Sequence, residues 1–134
     1  MITFQTGFIT NSSTEALVII FPKENHQCIK ALLENVDTID WKTKLDNSVV
    51  AKKLKHIGHS YYDHLKENIQ SIVKDVATKL SSKLDDQSNV LIDIEVDVDG
   101  CAYESPESNY YTFVALELLT QMLSEYVYTT MEYR

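Results

Sequence analysis

The stretch Val90–Asp99, V-L-I-D-I-E-V-D-V-D, constrains the fold more than any other part of the chain, because from Ile92 onward apolar and acidic residues alternate one for one. Successive side chains of a β-strand point to opposite faces. Val90, Ile92, Ile94, Val96 and Val98 therefore share one face, and Asp93, Glu95, Asp97 and Asp99 the other. The pattern predicts a half-buried strand with an anionic outer face, in a sheet with one side on a core. Alternate carboxylates stand about 7 Å apart along such a strand, and like charges so aligned repel unless cations lie among them.

The charge distribution limits where those cations come from. Residues 1 to 84 carry 11 Lys and 9 Asp or Glu, a sum of +2, whereas residues 85 to 134 carry Arg134 against 11 acids, a sum of -10; together these give the net -8 of the chain. No cation lies between Lys83 and Arg134. Neutralisation of the acidic face is thus expected from the Lys-bearing helices of residues 42 to 83, from salt, from a metal, or from a basic protein partner. Direct nucleic-acid binding through the C-terminal half is disfavoured, since it has nothing with which to displace counterions from a phosphate backbone.

A chain of 134 residues can bury a core without disulfides, and a single domain spanning 1–134 is expected. Cys28 and Cys101 read as free thiols. No apolar run reaches the ~18 residues of a membrane span, and Met1 to Phe8 lacks the basic and apolar regions of a signal peptide. No membrane association is expected, and the expected setting is cytoplasmic.

Along the chain, Ile2, Phe4 and Phe8 alternate as in a strand, T-N-S-S-T at Thr10 to Thr14 favours a turn, and Ala16 to Phe21 is a continuous apolar run stopped by Pro22. These predict a hairpin whose second strand lies in the middle of the sheet. The segment T-G-F-I-T-N-S-S-T at Thr6 to Thr14 resembles the "TGFVSNSSS" signature that opens many uncharacterised bacteriophage and bacterial proteins. It departs from that signature at Thr14 and Glu15, where further serines are common. The resemblance covers about the first 20 residues and implies a phage or prokaryotic origin, hence a host cytoplasm, but no activity.

Beyond Pro22, Cys28, Ile29, Leu32, Leu33 and Val36 fall at helical spacing, and residues 37 to 46 read as a polar connector holding Trp41. A short helix with Val50, Leu54 and Ile57 inward precedes Gly58. A long helix follows from Ser60 to about Leu84, with Tyr62, Leu65, Ile69, Ile72, Val76 and Leu80 in one stripe. Ser105-Pro106-Glu107 marks the start of another helix. From Tyr111 to Leu123 that helix is apolar around most of its circumference, which suits either the centre of the core or a contact with a second copy. The strand formers from Tyr126 leave a final strand open. The fold expected is α+β: a small antiparallel three-stranded sheet packed against three to four helices, with Ala16 to Phe21 in the centre and Val90 to Asp99 beside it.

Few residues carry an enzymatic signature. Acids on a strand suit a two-metal nuclease, yet the basic residue that such a site needs downstream is missing. The serines of the N-terminal turn lack a nucleophile elbow, and there is no phosphate-cradling glycine loop. His56, His59 and His64, with Asp63 between them, are ligand types for zinc, but a glycine and a helix start interrupt them and spacing alone does not converge them. Tyrosines crowd the acidic half, where they suit either a protein-binding surface or the core.

The readings together predict a non-enzymatic protein, without cofactor, that binds a basic host or phage protein through Asp93, Glu95, Asp97 and Asp99 with the neighbouring Tyr103 and Glu104. Its concrete form is an inhibitor of a nucleic-acid-handling or defence protein acting by nucleic-acid mimicry. The rivals are a metal-binding protein or metal-dependent enzyme using His56, His59 and His64, and a structural homo-oligomer built on the C-terminal helix.

Overall fold

The computed structural model describes residues 14–52, 59–97 and 109–134. Three strands form one antiparallel sheet: β1 (Thr14–Phe21), β2 (Val90–Asp97) and β3 (Tyr128–Tyr133), in the order β2-β1-β3. The α+β architecture and the central place of the Ala16 to Phe21 run are as the sequence predicts. The expected N-terminal strand, Met1 to Ile9, and its turn up to Ser13 lie outside the described residues. β2 occupies one edge of β1 from Thr14 to Phe21 and β3 the other from Glu15 to Ile20. The third strand is thus the tyrosine-rich segment left open by the sequence.

Helices cover one face of this sheet. Leu17, Ile19 and Phe21 of β1 face them and are buried, paired in register with Ile94, Ile92 and Val90 of β2. Helix α3 (His59–Lys83) presents Tyr62, Leu65, Ile69, Val73, Val76, Ala77 and Leu80 to the core. Val73 is fully buried and Ile72 only half so, a small rotation of the expected stripe. Helix α4 (Asn109–Met122) lies against α3 and the sheet. It buries Tyr110, Phe113, Val114, Ala115, Leu116, Leu118 and Leu119, so its unbroken apolarity is spent inside the chain's own core. Thr112 and Gln121 are exposed, and Tyr111 and Glu117 half-buried.

The segment between β1 and α3 departs furthest from the sequence reading. Helix α1 (His26–Leu33) has eight residues, and Val36 belongs to a separate 3-10 turn, Val36–Thr38. Ile29 and Leu33 are buried, but Cys28, expected on that face, is exposed. The stripe instead begins two residues before the expected set, at His26, where the ring is buried between strand and loop: Nε2 lies 3.0 Å from the Phe21 carbonyl and Nδ1 3.2 Å from that of Asp86.

The polar connector is in fact folded. Asp40 caps a one-and-a-half-turn helix, α2 (Trp41–Asp46), accepting from the Thr43 N–H and from its hydroxyl at 2.8 Å. Trp41 is buried and donates its indole N–H to the Val36 carbonyl at 2.8 Å. Gln70 of α3 clamps the same turn, donating to the Ile39 carbonyl and accepting from the Trp41 N–H. Ser48 then caps residues 49–52 by accepting from the Ala51 N–H, with Val50 buried; Leu54, Ile57 and Gly58 lie outside the described residues.

Candidate functional site

The face of the sheet turned away from the helices carries the acidic residues. Register fixes its rows: Glu95, Ala16 and Glu132 lie side by side across β2, β1 and β3, then Asp93, Val18 and Thr130, then Leu91, Ile20 and Tyr128. Opposed residues of an antiparallel pair share a face. The acids of β2 are therefore joined by Glu132, and the middle of the first row holds only the methyl group of Ala16.

Into that row reaches the one cation of the acidic half. The Arg134 backbone N–H donates to the Thr14 carbonyl at 2.8 Å, continuing the β1–β3 ladder by one residue. Its side chain then crosses β1 to β2. Nη1 and Nη2 donate to the two carboxylate oxygens of Asp93 at 3.0 and 2.9 Å, Nη1 also donates to Glu95 at 2.5 Å, and Nη2 and Nε donate to Glu132 at 2.8 and 3.1 Å. A larger side chain than Ala16 would stand in this path, and Ala16 itself is fully covered although it sits on the outer face.

Such a bidentate arginine–carboxylate pair is among the stronger polar contacts, because two parallel hydrogen bonds carry opposite charges. The Asp93 carboxylate above all, then Glu95, holds the guanidinium charged well beyond its ordinary range. The Asp93 side chain is 6% exposed and that of Arg134 11%, while Glu132 remains 43% exposed. Neutralisation of the strand was expected from the lysine-bearing helices, from salt, a metal or a partner. Among the described residues the chain's own Arg134 supplies part of it: three carboxylates against one guanidinium sum to -2.

The remaining site residues are placed as follows. Asp97 ends β2 opposite Thr14; Asp99, Tyr103 and Glu104 lie outside the described residues. Of the tyrosines, Tyr110 is buried and stacked on Phe113 with centroids 6.3 Å apart, Tyr111 is half-buried beside His64, and Tyr128 and Tyr133 are largely exposed. Tyr128 belongs to the outer face by register and is 68% exposed, next to Ile20 at 38%. Glu132, an exposed ring and a partly exposed aliphatic side chain thus share this outer face, while Asp93 lies under Arg134.

Chain comparison adds no template for this surface. The chain matches no protein-family model, no curated protein and no solved structure.

The histidines are not brought together by what the structure describes. His56 lies outside the described residues. His59 and His64 sit five positions apart on α3, about 140° around the helix axis, and among the described residues no group of three or more metal-ligating side chains converges. His64 is exposed with its ring 6.2 Å from that of Tyr111. No helix among the described residues is long and apolar enough to cross a membrane.

Arg134 and Glu132 are the site residues that sequence reasoning missed. Their signal was present: extending the period-two alternation of a strand from Tyr128 puts Thr130, Glu132 and Arg134 on one face.

Proposed function

We propose that this protein is a non-enzymatic binding module that engages a basic protein partner through the outer face of its sheet. The observation that supports this most is the outer face itself, where partly exposed Glu132 and the residual -2 charge of the Arg134 cluster lie on the same side of the sheet as exposed Tyr128 and Ile20. Charge of this kind steers a basic partner and selects against acidic ones, and an exposed tyrosine supplies contact area at low entropic cost. The N-terminal resemblance is the ground for looking for that partner among phage or host proteins. An acidic row that stands in for phosphates makes a nucleic-acid-handling or defence protein the concrete target.

Neutralising Asp93 or Glu95 would disturb the Arg134 cluster, so the test uses Tyr128→Ala with Glu132→Gln. Wild type and variant are immobilised and exposed to bacterial lysate at low salt, after circular dichroism has shown both to be folded. A basic protein that wild type retains, the variant loses and added salt releases supports the reading. Equal retention by both, or none by either, overturns it.

A further inference from the structure

A second surface lies along the edge of β2 away from β1, sharing only Leu91 and Asp93 with the outer face. Between the C-terminal half of α3, the edge of β2 and α4 is a cavity of about 440 Å³. Val76 and Leu80 of α3, Ile92 and Ile94 of β2 and Leu116 of α4 give it apolar walls. It exists for a geometric reason. β2 is bonded to β1 along one edge only among the described strands, and Ile92 and Ile94 are left half-buried between α3 and α4. Four successive residues, Leu91 to Ile94, line it, so it runs along the strand.

Two lysines stand at its rim. Lys79 and Lys83 are one helical turn apart on α3, so both project from the same side of the helix. Both are exposed. Lys30, Lys66 and Lys74 are engaged by Asp85, Asp46 and Asp37, whereas among the described residues neither Lys79 nor Lys83 has an ion-pair partner. The one carboxylate lining the cavity, that of Asp93, is held by Arg134. In a chain of net charge -8, an apolar cavity with two uncommitted ammonium groups at its mouth is matched to an anion with an apolar body. Lysine stems lying along the walls would leave the ammonium groups free at the opening.

We propose that this cavity binds a free aliphatic carboxylate, its chain lying along β2 between α3 and α4 and its head group held by Lys79 and Lys83. The volume falls within the range of small-molecule sites, and it accommodates a chain on the order of eight to twelve carbons. A peptide is the less suitable occupant, since the lining ends after four strand residues and offers cations at one rim only.

The probe is dodecanoate, titrated below its micellar concentration into the full chain by isothermal calorimetry, with dodecyltrimethylammonium as a comparison of opposite charge. Saturable binding at one site is expected for dodecanoate and not for the cation. Lys79→Gln with Lys83→Gln should weaken it at least tenfold. Thr112→Trp, an exposed position on the cavity wall, should abolish it by filling the space while leaving the circular dichroism spectrum unchanged. Amide shifts in a ¹H–¹⁵N spectrum should concentrate in residues 76–83, 91–94 and 112–116. The absence of saturable binding, equal binding of the cation, or binding that survives both sets of substitutions would overturn the assignment. None of these outcomes bears on the outer face, whose variants lie on β3.

Discussion

Arg134 meets Asp93 with both terminal nitrogens, Nη1 3.0 Å from Oδ1 and Nη2 2.9 Å from Oδ2, across the full width of the central strand. The contact joins the two outer strands of the sheet, which share no backbone hydrogen bonds. Its loss would therefore loosen β3 as well as leave a shielded carboxylate alone.

Arg134→Met should destabilise the fold by about 1–3 kcal/mol, less than for a pair deep in a core because Glu95 and Glu132 keep the cluster partly solvated. Asp93→Asn in the same chain should recover part of that loss, since the uncompensated charge is then gone. Urea unfolding of the single and double variants measures the coupling directly. Additive losses would mean that the pair contributes nothing beyond its separate members.

His26 bridges two carbonyls, those of Phe21 and Asp86. A carbonyl oxygen only accepts, and a neutral imidazole has one N–H, so both contacts are complete together only in the imidazolium. His26→Ala leaves both carbonyls without this donor and should cost about 1–3 kcal/mol. His26→Gln, whose amide nitrogen carries two N–H groups, should cost less. Chemical denaturation of both variants tests the order.

The Asp40 cap should appear in the pH dependence of stability. The hydrogen bonds from the Thr43 hydroxyl and backbone hold its carboxyl below the ordinary range. A carboxyl whose folded value lies below its unfolded one stabilises the fold above the unfolded value, about 3.9, and that stability is lost as pH falls through the folded value. Thermal melts of Asp40→Ala should therefore lie below wild type at neutral pH. The gap should close as the solution is acidified below about pH 4.

Trp41 is the chain's one tryptophan and anchors the turn before α2. Trp41→Ala should cost about 3–5 kcal/mol through the cavity it leaves. Trp41→Phe, which loses the indole hydrogen bond to Val36 but keeps most of the volume, should cost distinctly less. A single buried indole also gives fluorescence a local readout of whether residues 36–46 unfold with the rest.

The parts of this fold that were legible in the sequence are those with long, unmixed periodicity. The alternation of Val90–Asp97 and the stripe of α3 each placed an element and its buried face, and the apolar run of β1 placed a strand in the middle of the sheet. Short elements were not legible: α2 has six residues, too few for a stripe, and its buried Trp41 sits among Lys42, Thr43 and Lys44. Cys28 was misplaced because eight residues of α1 leave room for a rotation that brings His26 inward. The charge cluster was hidden for a different reason. The acids were plain in β2, but Arg134 lies 41 positions from Asp93, and only the pairing of both strands to β1 makes them neighbours.

The order β2-β1-β3 also bears on how the chain is made. β1 is synthesised first of the three, yet its partners begin at Val90 and Tyr128. Until both have left the ribosome, an apolar ribbon from Ala16 to Phe21 has two open hydrogen-bonding edges and no lid but whatever α1 and α3 supply. Such a ribbon is a template for wrong pairings between nascent chains. Successful production should depend less on the stability of the finished protein than on the interval during which that ribbon waits, so slower synthesis or crowded polysomes are expected to favour aggregation, and chaperone supply to relieve it.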